Sequence, residues 1–211
     1  MDEKEFVWHQ ETINGTIEQL FRDLRQVPLL APFYLAGGTG LALHLGHRRS
    51  VDLDFFLAEH FNEDSLIQKL QHLKGFALVS KESATIHATV RETKVSFITY
   101  EYPLLFPFQS FLGTKVADPR EIGCMKISAI ASRGTKRDFI DLYAVSQQFG
   151  LEHCLDWFER KFLQTNYSKI HVLKSLSFFD DAEKDPMPHM LVSLSWAEVK
   201  RFFQREAPRL M

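Results

Sequence analysis

A glycine pair followed by two closely spaced carboxylates constrains this chain more than any other feature. Gly37 and Gly38 end a short apolar run, and Asp52 and Asp54 lie in the next one. Glycine permits a tight turn from a strand into a helix, because it lacks a Cβ atom and adopts backbone conformations that other residues avoid. A helix N-terminus after such a turn presents unpaired N–H groups that bind phosphate. The sequence therefore predicts a strand over 33–36, a glycine turn, a helix over 39–46 and a second strand.

The two aspartates predict a metal site on that second strand, placed at 51–57. Side chains two residues apart on a strand point to the same face, so Asp52 and Asp54 would lie side by side. Adjacent carboxylates repel each other unless a cation lies between them, and Mg²⁺ (or Mn²⁺) is a hard ion that prefers oxygen ligands. Ser50 would share the same face, and Arg48 could donate to a phosphate. Each feature alone is compatible with an ordinary turn and strand, but their order favours a nucleotide site.

The second half of the chain contributes a lysine and two further acids on predicted helices. Asp118 and Pro119 are typical of a helix start, and the spacing predicts helices over 118–132 and 136–148. The first helix carries Lys126, and the second carries Asp138 and Asp141 on one face. A cationic face could bind a triphosphate while the acids orient it. On spacing alone, a set of salt bridges that only joins the two helices is the stronger interpretation.

Composition narrows the class of protein. The chain has 211 residues, 45% of them hydrophobic, and a formal net charge of −2, which gives no general attraction to nucleic acid. Cys124 and Cys154 are the only cysteines, so neither a disulfide framework nor a cysteine zinc site is supported. His44 and His47 are interpreted as core or surface histidines. The charged segment 1–5 does not resemble a signal peptide and no run is long enough to span a membrane, so a soluble cytoplasmic protein is expected.

The pattern of elements divides the chain into two lobes. An α/β lobe over 1–117 contains three further predicted strands, and an all-helical lobe over 118–211 follows it. The fold class expected is therefore α+β, with a mixed sheet, flanking helices and a C-terminal helical lobe. The remaining predicted strands lie at 76–81, 84–91 and 94–100, and the remaining predicted helices lie at 9–26, 64–74, 151–163, 167–179 and after Ser195; the segment 101–113 is expected to be a loop or an edge.

With both halves considered, the chain resembles the AbiEii/AbiGii toxin family of nucleotidyltransferases, within the polymerase-β-like nucleotidyltransferase superfamily. The residues that carry the resemblance are Gly37-Gly38-Thr39, His47-Arg48, Ser50, Asp52-Leu53-Asp54, Lys126, Arg137-Asp138 and Asp141-Leu142-Tyr143. The resemblance implies a nucleotidyltransferase fold and an enzyme that uses Mg²⁺ to move a nucleoside monophosphate from an NTP to an acceptor. In some members the acceptor is the 3′ end of tRNA, and a separately encoded antitoxin restrains the enzyme. A protein acceptor is also compatible.

The resemblance also implies roles for individual residues. It implies that Asp52 and Asp54 are the ligands of the metal ions. The residues that it places at the nucleotide are Gly37, Gly38, Thr39, Arg48, Ser50 and Lys126. The residues that it places in catalysis are Asp52, Asp54, Lys126, Asp138 and Asp141.

One departure from the superfamily pattern concerns the third carboxylate, which normally stands on a later strand and completes the metal site or positions the general base. Ser96 occupies the expected place, and Glu92 and Glu101 flank that strand. Two hypotheses follow: a transferase that works without this carboxylate, or a catalytically degenerate domain that binds a nucleotide or a partner. A small-molecule transferase of the aminoglycoside-modifying kind is a third, weaker hypothesis.

Overall fold

A computed structural model describes residues 7–210, which form a seven-stranded mixed sheet with helices packed against it. The strand order is β3-β4-β5-β2-β1-β7-β6. The strands are β1 Tyr34–Ala36, β2 Leu53–Leu57, β3 Ala77–Glu82, β4 Thr85–Val90, β5 Thr93–Thr99, β6 Gln109–Phe111 and β7 Thr114–Val116. The charged segment 1–5, which does not resemble a signal peptide in sequence, lies outside the described residues. Within 7–210, no helix combines the length and the apolar character that crossing a membrane requires.

The helices of the N-terminal half lie beside this sheet, and those of the C-terminal half follow it in sequence. The helices are α1 Gly15–Arg25, α2 Gly37–Leu45, α3 Glu63–Leu70, α4 Pro119–Ser132, α5 Lys136–Phe149, α6 Leu151–Lys161, α7 Lys169–Ser175, α8 Asp180–Glu183 and α9 Trp196–Glu206. Side chains of Asp118 and Thr135 cap α4 and α5, each by accepting a hydrogen bond from a backbone N–H of the first turn. Ser195 and Glu198 form a capping box at the start of α9, the helix predicted after Ser195.

Two hydrophobic clusters lie on opposite faces of the sheet. One face packs on α1 and α3 through residues such as Phe55 and Phe97. The other face packs on the C-terminal helices, and its cluster includes Tyr34 and Phe56 from the sheet together with Phe139 from α5. The strands alternate between these faces, as a period of two requires. Helices of the second half therefore cover one face of the sheet built by the first half.

The predicted α+β class with a mixed sheet and flanking helices is confirmed. Most predicted elements are present, but several bounds differ; for example, β2 begins at Leu53 rather than at 51 and α3 ends at Leu70 rather than at 74. The helix predicted over 9–26 begins at Gly15, because Asn14 caps it and a short 3₁₀ turn precedes it. The segment 101–113, expected to be a loop or an edge, contains β6 at the edge of the sheet, whereas β7, which the sequence did not predict, pairs in parallel with β1. The helix predicted over 167–179 covers only Lys169–Ser175, and α8 follows as a separate short helix.

Candidate nucleotide-binding site

A cleft of about 540 Å³ lies between the sheet and helices α4 and α5. Its floor is the face of the sheet that carries Asp54, Ser96 and Ile98, and its far wall is formed by α4 and the start of α5. The sequence-predicted site residues that line it are Gly37, Gly38, Arg48, Ser50, Asp52, Asp54, Lys126 and Asp138. Residues far apart in the chain thus meet around one concave surface.

The glycine turn brings the backbone of α2 close to Asp54. Gly37 has φ +62°, a left-handed conformation that a residue with a side chain rarely adopts. A Cβ atom at Gly37 would also lie 2.8 Å from Oδ2 of Asp54, so only glycine permits this approach. Within residues 7–210, no side chain caps the start of α2, which leaves the first backbone N–H groups of the helix for another acceptor. A phosphate group suits this position.

Arg48 supports the turn from below. A Cβ atom on Gly38 would overlap Nη2 of Arg48, whose guanidinium is buried directly beneath the glycine. Nε and Nη2 of Arg48 donate to the two carboxylate oxygens of Asp141, at 2.6 and 2.8 Å. This bidentate pair fixes the guanidinium plane. Arg48 therefore reaches the cleft as a rigid support rather than as a mobile side chain.

Asp141 is the centre of this buried charge network. Its side chain is 0% exposed, and besides Arg48 it contacts Nε2 of His47 at 2.8 Å and Nζ of Lys126 at 2.6 Å. Burial alone would raise the pKa of Asp141, but the charges of Arg48 and Lys126 outweigh it and hold the pKa well below its ordinary value. Asp141 stays ionised, and its two oxygens are occupied by cations beneath the cleft.

Lys126 and Asp138 lie one layer nearer to the cleft. Nζ of Lys126 lies 2.9 Å from Oδ1 of Asp138 as well as close to Asp141. Burial opposes the charge of Lys126, yet the two carboxylates raise its pKa above the usual value. Asp138 also accepts a hydrogen bond from Thr135 at 2.6 Å, and its pKa is lowered because Lys126 and Arg133 outweigh the effect of burial. The salt-bridge interpretation made from spacing thus matches these contacts, and Lys126 and Asp138 line the cleft as well.

Thr39 and Ser50 join the glycine turn to the segment before β2. Oγ1 of Thr39 lies 2.8 Å from Oγ of Ser50 and also donates to the backbone carbonyl of Asp52. Thr39 is 1% exposed and does not line the cleft, whereas Ser50 does. These bonds hold α2 and the two aspartates in a fixed relation.

Asp52 and Asp54 are the carboxylates that face the cleft. Asp52 directly precedes β2, and Asp54 lies within it, paired with Ala36 of β1. Asp52 is about one-third exposed, and its only ion pair in the described part of the chain is a long one, 3.4 Å to Arg137, whose side chain is itself 55% exposed. Asp54 has neither a hydrogen bond nor an ion pair from its side chain to any residue in 7–210.

These two carboxylates have the chemistry that Mg²⁺ requires. Their oxygens are hard donors, they lie beside a turn suited to phosphate, and the cleft leaves room for water and phosphate oxygens to complete the coordination. Among residues 7–210, no group of three or more histidine, cysteine or acidic side chains forms a complete metal site. Asp52 and Asp54 would therefore hold an ion jointly with a bound nucleotide rather than alone.

The place of the expected third carboxylate is held by a serine. Ser96 of β5 is in register with Asp54 of β2 and lines the cleft. The flanking acids do not replace it: Glu92 lies in the turn before β5, and Glu101 pairs with His60 at 3.0 Å on a different surface. Behind Ser96, Nδ1 of His87 lies 3.1 Å from its hydroxyl oxygen. His87 could not be predicted from the sequence, because only the pairing of β4 with β5 places it at the cleft.

The histidines and cysteines considered as metal ligands are buried or bound to other residues instead. His44 is buried, and its Nε2 lies 2.9 Å from the carbonyl oxygen of Ala117. Burial lowers the pKa of His44 to about 4, so the imidazole is neutral and donates to this carbonyl. Cys124 and Cys154 are buried free thiols. His47 contacts Asp141 and lies outside the cleft lining.

The chain is similar to one protein family and, more distantly, to several solved structures. A family model described as nucleotidyl transferase AbiEii toxin, of a type IV toxin–antitoxin system, matches residues 18–104 and 88–209. An uncharacterized protein of Aquifex aeolicus is 34% identical over 180 residues, which cover 82% of this chain and 85% of that protein. Among solved structures, JHP933 of Helicobacter pylori is 16% identical with a TM-score of 0.45, covering 94% of this chain and 97% of the other. MenT4, a nucleotidyltransferase toxin of Mycobacterium tuberculosis, is 16% identical with a TM-score of 0.48, covering 91% and 84% respectively.

Proposed function

Because the chain belongs to the AbiEii nucleotidyl transferase toxin family, we propose that it transfers a nucleoside monophosphate from an NTP to an acceptor hydroxyl. The observation that carries this proposal is the position of Asp52 and Asp54. Both carboxylates open onto the cleft beside the uncapped start of α2, and Asp54 has no side-chain partner of its own in residues 7–210. Paired carboxylates beside a phosphate-binding turn suit a triphosphate with its Mg²⁺ or Mn²⁺ ion.

The role proposed for each residue follows from whether its side chain lines the cleft or lies beneath it. The backbone at Gly37 and Gly38 binds phosphate oxygens, and Asp52 and Asp54 hold the divalent ion, which when bound neutralises phosphate charge. Lys126 contributes positive charge at the wall of the cleft, where Asp138 orients it.

Asp141 does not reach the cleft. It keeps Arg48 and Lys126 in place, and we assign it a positioning role rather than contact with substrate. Thr39 has a comparable role, because its hydroxyl binds Ser50 and the backbone of Asp52.

The acceptor proposed is the 3′ end of a tRNA or another hydroxyl of RNA or protein, and a cognate antitoxin protein is the proposed regulator. The net charge of −2 makes local cations the source of any RNA contact, and Arg133 and Arg137 at the cleft rim are two exposed examples. This arrangement would let an acceptor strand approach the α-phosphate from the open side of the cleft.

Nucleotide incorporation tests the proposal. Purified protein is incubated with each α-labelled NTP, Mg²⁺ or Mn²⁺, and total RNA or total protein from bacterial cells. We expect label to enter one macromolecular fraction, and Asp54→Asn to abolish it without lowering the melting temperature, because removal of a repelling carboxylate does not unfold a protein. Glu92→Gln is the matched control, since it removes an acid in the turn before β5, outside the cleft lining, and should retain activity. No label with any NTP would contradict the enzymatic proposal.

A binding domain that has lost catalysis is the second candidate, favoured by Ser96 at the register position of Asp54. It predicts that NTP binds, as measured by calorimetry, without any incorporation. In that case Ser96→Asp, which restores a carboxylate beside Asp54, should produce activity.

A further inference from the structure

Three polar side chains form a row across the floor of the cleft. Asp54 on β2 is in register with Ser96 on β5, and Ser96 is in register with His87 on β4. Side chains in register on adjacent strands stand on the same face, about 4.8 Å apart along the hydrogen-bonding direction. All three line the cleft. The row therefore begins at a proposed metal ligand and ends at a histidine, with a serine hydroxyl between them.

The contact between the last two members is a hydrogen bond. Oγ of Ser96 lies 3.1 Å from Nδ1 of His87, and this is the only side-chain hydrogen bond that His87 makes to the described residues. Both side chains are partly exposed to the cleft, so they are accessible to a bound substrate. A serine hydroxyl alone does not take a proton at neutral pH, but a neutral imidazole does.

The polar residues next to this pair, Lys94 and Ser80, do not provide a proton acceptor. Lys94 lies two residues before Ser96 on the same face of β5 and cannot serve as a base while protonated. On β3, Ser80 is in register with His87 and carries no charge. Among residues 7–210, the pair of Ser96 and His87 therefore lies beside Asp54 on the cleft floor and can also accept a proton.

We propose that Ser96 and His87 together replace the missing third carboxylate as the proton acceptor of the reaction, an inference that rests on the proposed transferase function. The acceptor oxygen forms a bond to the α-phosphorus, and the bond from that phosphorus to the pyrophosphate oxygen breaks. The proton of the acceptor hydroxyl passes to Oγ of Ser96 while the proton of Ser96 passes to Nδ1 of His87. Pyrophosphate leaves with the electron pair of the broken bond, and imidazolium then returns its proton to solvent.

Variants of both residues test this assignment by single-turnover incorporation. Loss of a general base typically lowers the rate about 10²- to 10⁴-fold, and we expect His87→Ala and Ser96→Ala to fall in that range. NTP affinity measured by calorimetry should stay unchanged. His87→Gln is the second variant, because it keeps a hydrogen-bonding side chain on the strand but accepts no proton, and it should lose as much rate as His87→Ala. Recovery of the rate in His87→Gln would show a structural role and overturn the proposal.

A double variant gives the sharper result. Ser96→Asp places a carboxylate beside Asp54, so that His87 is no longer needed, and Ser96→Asp/His87→Ala should be nearly as active as Ser96→Asp alone. Thr89→Ala, which changes another residue on the same face of β4, is the control and should retain full activity. If His87→Ala costs the same factor in both backgrounds, the two residues do not act as a unit and the proposal fails.

A readout that does not depend on turnover uses nitrogen NMR of the His87 ring in the nucleotide-free protein. We expect an unprotonated Nδ1 that accepts a hydrogen bond, with a resonance that moves in Ser96→Ala. A protonated Nδ1 would overturn the assignment.

Wild-type protein without any incorporation would contradict the proposed function itself, whereas an active wild type with an equally active His87→Ala variant would contradict only the role of His87.

Discussion

Replacement of Asp141 by asparagine tests whether the buried charge network supports the site. The carboxylate accepts from Arg48 at 2.6 and 2.8 Å and lies 2.6 Å from Lys126, and the three side chains are all at least nine-tenths buried. Asparagine keeps the shape but removes the charge, which leaves two buried cations with Asp138 as their nearest counter-ion. Loss of one partner of a buried ion pair costs about 3–5 kcal/mol. For a chain of this size, that corresponds to a melting temperature lower by about 6–20 °C.

Thermal denaturation followed by circular dichroism at pH 7 measures this effect. Asp156→Asn is the control, because Asp156 is 66% exposed and its one ion pair within residues 7–210 is a 3.9 Å contact with His153. Its melting temperature should change little, since exposed pairs contribute about 0–1 kcal/mol. A melting temperature for Asp141→Asn equal to that of the control would refute the account of Asp141 as the centre of the network.

Two further predictions concern the turn and the effect of pH. Gly38→Ala should destabilise the protein by about 1–3 kcal/mol, because its methyl group meets the immobilised guanidinium of Arg48. Gly15→Ala, where nothing lies within 4 Å of the added atom, should be neutral or slightly stabilising, and equal melting temperatures for the two variants would argue against the close approach. His44 has a pKa of about 4 in the folded protein against an ordinary value of 6.5, so the unfolded chain binds more protons between these values. The free energy of unfolding should therefore be highest above pH 6.5, as far as His44 determines it, and should decrease by up to ~3 kcal/mol as the pH falls towards 4. The free energy of unfolding of His44→Gln, measured by denaturant titration, should decrease less over the same pH range. An equal decrease in the variant and in the wild type would contradict the role of His44.

The parts of the site that are local in sequence could be predicted from it. The glycine turn, the two aspartates and the capped start of α4 each depend on a few neighbouring residues, and the structure has these elements in the predicted order. Their chemistry follows from residue type and spacing alone.

The parts that depend on tertiary pairing could not be predicted. Arg48 and Asp141 are 93 positions apart in sequence, and no local pattern indicates that one holds the other. Arg48 was expected at the triphosphate, and the structure adds that its guanidinium, which lines the cleft, is held by Asp141 beneath the glycine turn. His87 was missed for the same reason, because its place beside Ser96 depends on the register between β4 and β5.

The most direct test of the central claim follows the label from two positions of the same NTP. With α-labelled NTP and total RNA, a nucleotidyltransferase leaves label on the acceptor, and with γ-labelled NTP it releases the label as pyrophosphate. We predict this pattern for the wild-type protein and its loss in Asp52→Asn and Asp54→Asn, whose side chains line the cleft. Label on the acceptor from the γ-position, or equal incorporation by the two variants and the wild type, would contradict the account.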